Sequence, residues 1–288
     1  MNFDAFIETA WADHGERPRE VADRLAASLG VVEAPDHVAP FARLVSHVFG
    51  EHLGEWERGI AMLQSLRDAI PCAGDAAALA VAQRIATLRY ASGETSGLLE
   101  LPVETRICGL ADVASMLSAR GAFGAAIAAY AEATRLADSG LPSGSPAHRA
   151  LAVGGNNLAA ALEGRADRSA AETDGMIAAA EGGLKYWKIA GTWLEAERAE
   201  YRLGRSLLQA GRASRALACA ERCVALCEAN AAPALERFFG YALLAVTRRA
   251  AGDADGFAIA RGRALDCCEQ LQAGERQWCD AELAELAA

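Results

Sequence analysis

The amino-acid sequence predicts an all-α protein, and three observations support that prediction. Hydrophobic residues make up 52% of the chain, much of that alanine, whereas aromatic residues make up only 6%. Alanine favours closely packed helices and is depleted in strands. No convincing run of alternating β-branched and aromatic residues occurs, and a pattern of small residues recurs at a long, nearly regular interval. We therefore expect helical hairpins that stack on one another.

The first hundred residues are predicted to be helical but follow a less regular pattern. Gly15 separates the first two helices, and Pro18 lies near the start of the second, where proline fits the first turn. Pro71 marks the end of a second pair. The predicted segments are a first pair over 4–15 and 17–30, a second pair over 35–54 and 55–71, one helix over 74–93 and a short connection over 95–102.

Beyond these segments the helices follow one repeating register. Four turns between helices are expected at Gly121, Ala166, Gly211 and Gly252, at separations of 45, 45 and 41 residues. Small residues at fixed distances from each turn would let the two helices of a hairpin approach closely. The small residues seven before the turns are Ala114, Ala159, Gly204 and Ala245. Five after the turns they are Ala126, Ala171 and Ala216. Twelve after the turns they are Ala133, Ala178, Cys223 and Ala264. One hairpin cannot bury its apolar face alone, so successive hairpins must stack.

The segment 110–133, LADVASMLSARGAFGAAIAAYAEA, resembles the tetratricopeptide repeat. The residues that match the consensus of that family are Gly121, Phe123, Ala126, Tyr130 and Ala133. The longer interval, together with NNLA at 156–159, is similar to the kinesin-light-chain variety. The last repeat departs from the pattern, with Arg248 at an apolar position and Phe257 where alanine is expected.

This resemblance implies an α-α superhelix, a solenoid of antiparallel helical hairpins. We expect residues 1–102 to be degenerate repeats of the same solenoid, with a separate helical domain as the alternative. Residues 103–288 are expected to hold the clear repeats and a C-terminal capping helix. The loop over 136–148 is too short to be a flexible domain linker, and the register continues across it.

The charge of the chain excludes some classes of partner. A formal net charge of −10 argues against broad contact with nucleic acid or anionic membranes, which need basic surface. No apolar run reaches the roughly 18 residues of a membrane-spanning helix, and the acidic, amphipathic N-terminus is unlike a signal peptide. We therefore expect a cytoplasmic protein with a protein or peptide partner, with homo-oligomerisation left open.

Eight cysteines occur in this signal-less chain and are expected to be reduced thiols. Cys219, Cys223 and Cys227 recur every four residues and share one helix face. We interpret them as small residues that fill a tight helix seam. A thiolate metal site is the alternative, but the short CxxC pairs typical of such sites are absent.

No catalytic constellation is recognisable. None of the five histidines forms an HExxH pair, and His47 and His52, five apart, would not align on an α-helix face. Gly154 and Gly155 belong to no complete dinucleotide-binding pattern, and neither a GxSxG motif nor a P-loop occurs. We expect a protein without enzymatic activity, cofactor or metal; an enzyme with an unrecognised site is the alternative.

The resemblance also implies which residues face a binding groove. First helices would line the concave face, with the residue nine before each turn pointing into it. The residues nine before the turns are Asp112, Asn157, Arg202 and Leu243. Thirteen before them are Cys108, Val153, Arg198 and Phe239. Six before them are Ser115, Ala160, Arg205 and Val246. Asn157 would therefore face a stripe of arginines on the next first helix, Arg198, Arg202 and Arg205. Tyr201 would flank this groove, and Asn156 either faces it or makes polar contacts between helices.

This arrangement is similar to part of the carboxylate clamp of tetratricopeptide co-chaperones. Asn157, Arg198 and Arg202 match three of its positions, whereas Ala111 and Ser115 replace the residues of its first repeat. We therefore expect a scaffold or adaptor that binds an acidic or carboxylate-bearing segment. A peptide-sensing module that acts through a partner chain is the runner-up. In the alternative interpretation of the stripe, the arginines pair with Glu195, Glu197 or Glu200 on a solvated helix.

Overall fold

The structure is a computed structural model that describes residues 2–69 and 74–287, and over these residues it is helical without strands. A 3-10 turn covers Leu29–Val31, a π-helix covers His47–Leu53, and a second 3-10 turn covers Gln277–Cys279. The α-helices are α1 (Phe3–Asp13), α2 (Pro18–Ala27), α3 (Pro35–Ser46), α4 (Trp56–Ala69), α5 (Asp75–Ser92), α6 (Ser96–Leu99), α7 (Val103–Ala119), α8 (Phe123–Ala137), α9 (Pro146–Glu163), α10 (Ala170–Ala190), α11 (Trp193–Gln209), α12 (Ala213–Ala229), α13 (Ala234–Ala250), α14 (Ala254–Glu269), α15 (Ala273–Arg276) and α16 (Asp280–Ala287). The prediction of an all-α protein is confirmed.

The chain forms two compact units, Met1–Gly154 and Gly155–Ala288. In each of them consecutive helices pack in pairs, for example α7 with α8 and α11 with α12. The division into 1–102 and 103–288 drawn from the repeat pattern stays a prediction.

The N-terminal unit is built around large apolar side chains. Phe41, Phe49 and Leu88, from three different elements, are fully buried. Pro18 and Pro35 stand in the first turns of α2 and α3, as proline prefers. The expected helical pairs are present, except that the helix predicted over 35–54 changes type at His47 and continues as a π-helix. The predicted end at Pro71, like Cys72, lies outside the described residues.

The expected turns between helices occur where the register predicts them. Gly121, Gly211 and Gly252 have φ angles of 75°, 70° and 78°. Glycine adopts this left-handed conformation without the steric cost that a side chain would add, so these turns close each hairpin in three residues. Ala166 lies in a longer turn, between the end of α9 and the start of α10.

The burial of the small residues confirms the register in α8, α12 and the later part of α14, and contradicts it in α10. Ala126 and Ala216 are fully buried, but Ala171 is exposed. Twelve after the turns, the fully buried residues are Ala133, Cys223 and Ala264, whereas Ala178 is exposed.

The turn before α10 explains this error. Helices α8 and α12 begin two residues after Gly121 and Gly211, whereas α10 begins four residues after Ala166. Ser169 and Glu172 form a reciprocal capping box that fixes this late start. The buried face of α10 therefore begins at Gly175 and Met176 rather than at Ala171.

Candidate functional site

Helix α11 carries four of the predicted site residues on one side. A capping box between Thr192 and Glu195 starts this helix. The predicted site residues on it are Arg198, Tyr201, Arg202 and Arg205. Tyr201 and Arg202 lie three and four positions after Arg198, and Arg205 lies four and three positions after them. The four side chains therefore lie on neighbouring turns of one face. Arg198 is exposed, whereas the other three are half-buried.

Each of the three arginines is ion-paired with a carboxylate from another helix. Arg198 pairs with Glu236 of α13, through Nε at 3.2 Å from Oε2 and through Nη2. Arg202 Nη1 lies 2.5 Å from Oε2 of Glu163 of α9. Because these acids lie on other helices, the arginines link helices to one another.

The alternative interpretation, in which the arginines pair with Glu195, Glu197 or Glu200 of their own helix, is therefore wrong. Glu195 caps the helix through the Thr192 N–H at 2.8 Å. Glu200 is paired with Lys188 at 3.0 Å and with Arg222 at 2.9 Å. Glu197 is buried, and burial together with the nearby charge of Glu236 raises its pKa to about 8.

The carboxylates that receive Arg198 and Arg202 are nearly inaccessible to water. The side chains of Glu236 and Glu163 are each 8% exposed. Glu163 also accepts a hydrogen bond from the Ser206 hydroxyl at 2.5 Å. A buried carboxylate without a partner is costly, so these arginines stabilise the repeat as well as presenting charge on its surface.

The C-terminal helix α16 contacts the other end of the same face. Arg205 makes two hydrogen bonds to Glu285, at 2.5 and 2.6 Å. The Tyr201 hydroxyl donates to Oε1 of Glu282 at 2.6 Å. Burial raises the pKa of Tyr201, so its hydroxyl stays protonated and remains a donor.

Apolar residues of α16 complete this contact. Leu286 belongs to the same buried cluster as Leu243 and Val246 of α13, and α16 packs on α13. Leu243 and Val246 were expected to line an open groove, and that expectation is wrong because both are buried. The last repeat ends against this chain's own helix.

The two asparagines occupy different environments on α9. Asn157 is exposed. Asn156 is half-buried, and its Oδ1 is shielded from water without a hydrogen-bond partner in the described residues. Glu163, six residues after Asn157 on the same helix, is the side chain that reaches Arg202.

A second polar cluster, in the N-terminal unit, was missed from the sequence. His47 and His52 were expected to diverge, but their Nε2 atoms lie 3.2 Å apart. The reason is the π-helix, in which residues five apart lie one turn from each other. His14, at the end of α1, joins them.

Comparisons with known proteins bear on the fold. No protein-family model and no curated protein matches the sequence. The solved structure of a putative kinesin light chain with nearly identical TPR-like repeats from Podosopora anserina aligns with a TM-score of 0.50 at 14% identity, over 84% of this chain and 99% of that one. BtubC (BKLC) from P. vanneervenii aligns with a TM-score of 0.53 at 15% identity, over 93% of this chain and 91% of that one.

These alignments decide the fold. The chain has the tetratricopeptide-type helical-repeat fold of kinesin-light-chain-like proteins. In this TPR-like fold, α7, α9, α11 and α13 are the first helices of the four repeats and α8, α10, α12 and α14 the second ones. Arg198, Arg202 and Arg205 thus lie on a first helix, as the sequence predicted. None of the helices in the described ranges is long and apolar enough to cross a membrane.

Proposed function

We propose that this protein is a non-enzymatic scaffold or adaptor that binds an acidic segment of a partner protein on the first-helix face of residues 155–288. The TPR-like fold supports a role in protein interaction, since stacked helical repeats offer an extended surface for partners. The net charge of −10 favours a protein partner over nucleic acid or an anionic membrane, and a cytoplasmic location accords with this proposal.

The observation that carries the proposal is the way in which α16 packs on this face. This short helix places two carboxylates one turn apart, Glu282 and Glu285, against Tyr201 and Arg205. Its apolar side, at Leu286, packs into the buried cluster beside them. The face therefore already holds one acidic amphipathic helix, and a partner segment of the same chemistry suits the part of the face that α16 leaves open.

Hydrogen-bond donors of Arg198 and Arg202 remain available on the part of the face that α16 leaves open. A guanidinium has five N–H donors in a planar fork. Glu236 uses Nε and Nη2 of Arg198, and Glu163 uses Nη1 of Arg202. Nη1 of Arg198 and Nη2 of Arg202 make no hydrogen bond within the described residues, and Arg198 is 57% exposed. With the exposed amide of Asn157, they would bind a further carboxylate by charge-assisted hydrogen bonds.

The first test locates the binding face. A photo-crosslinking residue at Asn157, exposed on a first helix, is compared with one at Ala178, exposed on the second helix α10. In native cells we expect adducts with a defined partner from position 157 and none with that partner from position 178. Equal adducts at the two positions would contradict the assignment of the face.

The second test measures what the arginine fork contributes. Arg202→Lys keeps a positive charge beside the buried Glu163 but loses the planar fork, so the fold is retained. A charge-assisted hydrogen bond contributes about 1.5 to 3 kcal/mol, so affinity for the crosslinked partner should fall roughly 10- to 150-fold, and more at low salt than at high salt. Arg222→Lys, on the second helix α12 and paired with the nearly buried Glu200, is the matched control. Unchanged affinity in Arg202→Lys would exclude Arg202 from the site.

A further inference from the structure

Three imidazole rings converge in the N-terminal unit, and the binding face proposed above does not include them. One nitrogen from each of His14, His47 and His52 lies within 4.8 Å of the others. The three rings also contact pairwise, with centroids 4.8 to 5.0 Å apart. All three side chains are half-buried, so the point is partly shielded while water can still reach it.

In two of the three rings, Nδ1 already has a polar partner within the unit. Nδ1 of His14 is hydrogen-bonded to the Trp11 carbonyl oxygen. Nδ1 of His47 lies 3.0 Å from Oε2 of Glu51. A carbonyl or carboxylate oxygen that accepts a hydrogen bond from one ring N–H keeps the proton on that nitrogen and leaves the lone pair of the other nitrogen free, which is the usual support of a metal-binding histidine. Both Nε2 atoms are thereby free to accept a cation.

The third ring faces the second directly. Nε2 of His52 lies 3.2 Å from Nε2 of His47, and two lone pairs at that distance repel unless a proton or a metal ion lies between them.

The backbone keeps this arrangement fixed. The π-helix brings His47 and His52 to one face, and such π segments are frequent at functional sites. Gly50 at its centre is tightly enclosed, because an added Cβ would lie 2.8 Å from the Met116 side chain and 2.9 Å from that of Leu88. Arg120 Nη2 donates to the carbonyl oxygens of Glu51 and His52, at 3.0 Å each. A helix type that costs stability is thus stabilised by contacts from α5, from α7 and from Arg120 in the turn that follows α7.

We propose that His14, His47 and His52 bind a divalent transition metal ion, Zn²⁺ in the first place, through their Nε2 atoms, with the fourth position open to water. Three imidazoles suit Zn²⁺. Zn–N bonds of about 2.0–2.1 Å in tetrahedral geometry place ligand nitrogens about 3.4 Å apart, close to the separation of His47 and His52. Glu51 is a positioning residue that orients His47, and its carboxylate offsets part of the charge of the ion.

The test uses the full-length chain stripped of metal and titrated with Zn²⁺ against a chromophoric chelator. We expect one tight equivalent in the wild type. His52→Gln should lose affinity by more than about 100-fold, whereas Glu51→Gln should lose about 10- to 100-fold, as for other residues that support a ligand. His37→Gln, a half-buried histidine of the same unit that stacks on Phe3, is the matched control and should bind as the wild type does.

Co²⁺ substitution distinguishes the imidazoles from the cysteines. Visible d–d bands without a thiolate-to-metal charge-transfer band are expected in the wild type, and their loss is expected in His52→Gln. Zn²⁺ should also raise the thermal midpoint of the wild type and of His37→Gln, but not that of His52→Gln. Equal Zn²⁺ affinity in wild type and His52→Gln, or a thiolate band that persists in His52→Gln, would overturn the proposal. Should His52→Gln fail to fold, the wild-type Co²⁺ spectrum and Glu51→Gln decide.

Discussion

Replacing Gly204 with alanine tests whether the first helix α11 approaches its neighbours as closely as the repeat register requires. A Cβ at this position would lie 2.6 Å from Cδ2 of Leu243 and 3.3 Å from Cβ of Cys219. Both neighbours are about 1% exposed, so neither can move into solvent. Carbon atoms in ordinary contact lie about 3.5–4.0 Å apart, so the new methyl group overlaps Leu243 by roughly 1 Å.

The magnitude follows from two opposing contributions. Overpacking a dense core costs about 1 to 3 kcal/mol. Alanine is a better helix former than glycine by about 1 kcal/mol, which offsets part of that cost. Gly262 provides the matched control, since it lies inside α14 and a Cβ there would meet nothing within 4 Å. Gly262→Ala should therefore stabilise the chain by up to about 1 kcal/mol.

The two variants are compared by chemical denaturation followed by far-ultraviolet circular dichroism. Because the helix-propensity contribution is common to both, the difference in unfolding free energy between them isolates overpacking, and we expect about 1 to 3 kcal/mol. Leu243→Ala combined with Gly204→Ala should be less destabilising than the sum of the two single changes, since the truncated side chain makes room. Equal effects of Gly204→Ala and Gly262→Ala would refute the close approach.

Four further predictions concern charged and thiol groups of the unit Gly155–Ala288. Burial raises the pKa of Glu197 from 4.5 to about 8, so its contribution to the free energy of unfolding falls as the pH rises from about 5 to 8. The stability of Glu197→Gln relative to the wild type should therefore rise over that range, by up to about 5 kcal/mol. Denaturation curves recorded at each pH measure this change. Arg205→Gln should loosen α16, seen as faster amide exchange in that helix alone, and unchanged exchange would exclude Arg205 as its anchor. The hydrogen bond from Arg205 lowers the pKa of Glu285 below its ordinary value of 4.5, so in the wild type the same loosening should appear as the pH falls through that lowered pKa. Burial raises the pKa of Cys223, so this thiol should react with a disulfide reagent only on unfolding, and rapid reaction of the native protein would contradict its place in the helix seam.

The sequence predicted the repeat fold because its signals are local. A glycine with positive φ at Gly121, Gly211 and Gly252 and small residues at fixed offsets can be recognised without knowing what lies opposite. The same reasoning failed at Ala171, because the capping box at Ser169 moved the start of α10. That box is itself a local signal, a serine followed three residues later by glutamate, and including it would have corrected the register.

The environment of the arginines could not be predicted in the same way. Their spacing placed Arg198, Arg202 and Arg205 on one face, and the structure agrees. Their partners come from α9, α13 and α16, up to 80 residues away in sequence, and no local pattern selects among the many acids of the chain. The pairing of Arg202 with the nearly buried Glu163 makes Arg202→Ala a destabilising change, an effect that the spacing of the arginines does not predict.

The histidine cluster shows how a spacing argument depends on the type of helix. Excluding His47 and His52 as a pair assumed 3.6 residues per turn, and that assumption fails in a π-helix. Nothing between the two histidines signals the change, since its supports are Leu88 and Met116 around Gly50 and the side chain of Arg120 on two carbonyl oxygens. These contacts come from α5 and α7 and from the turn that follows α7. Ligand spacing in a sequence therefore excludes a metal site only where the helix type is fixed by local residues, and here it is fixed by tertiary packing.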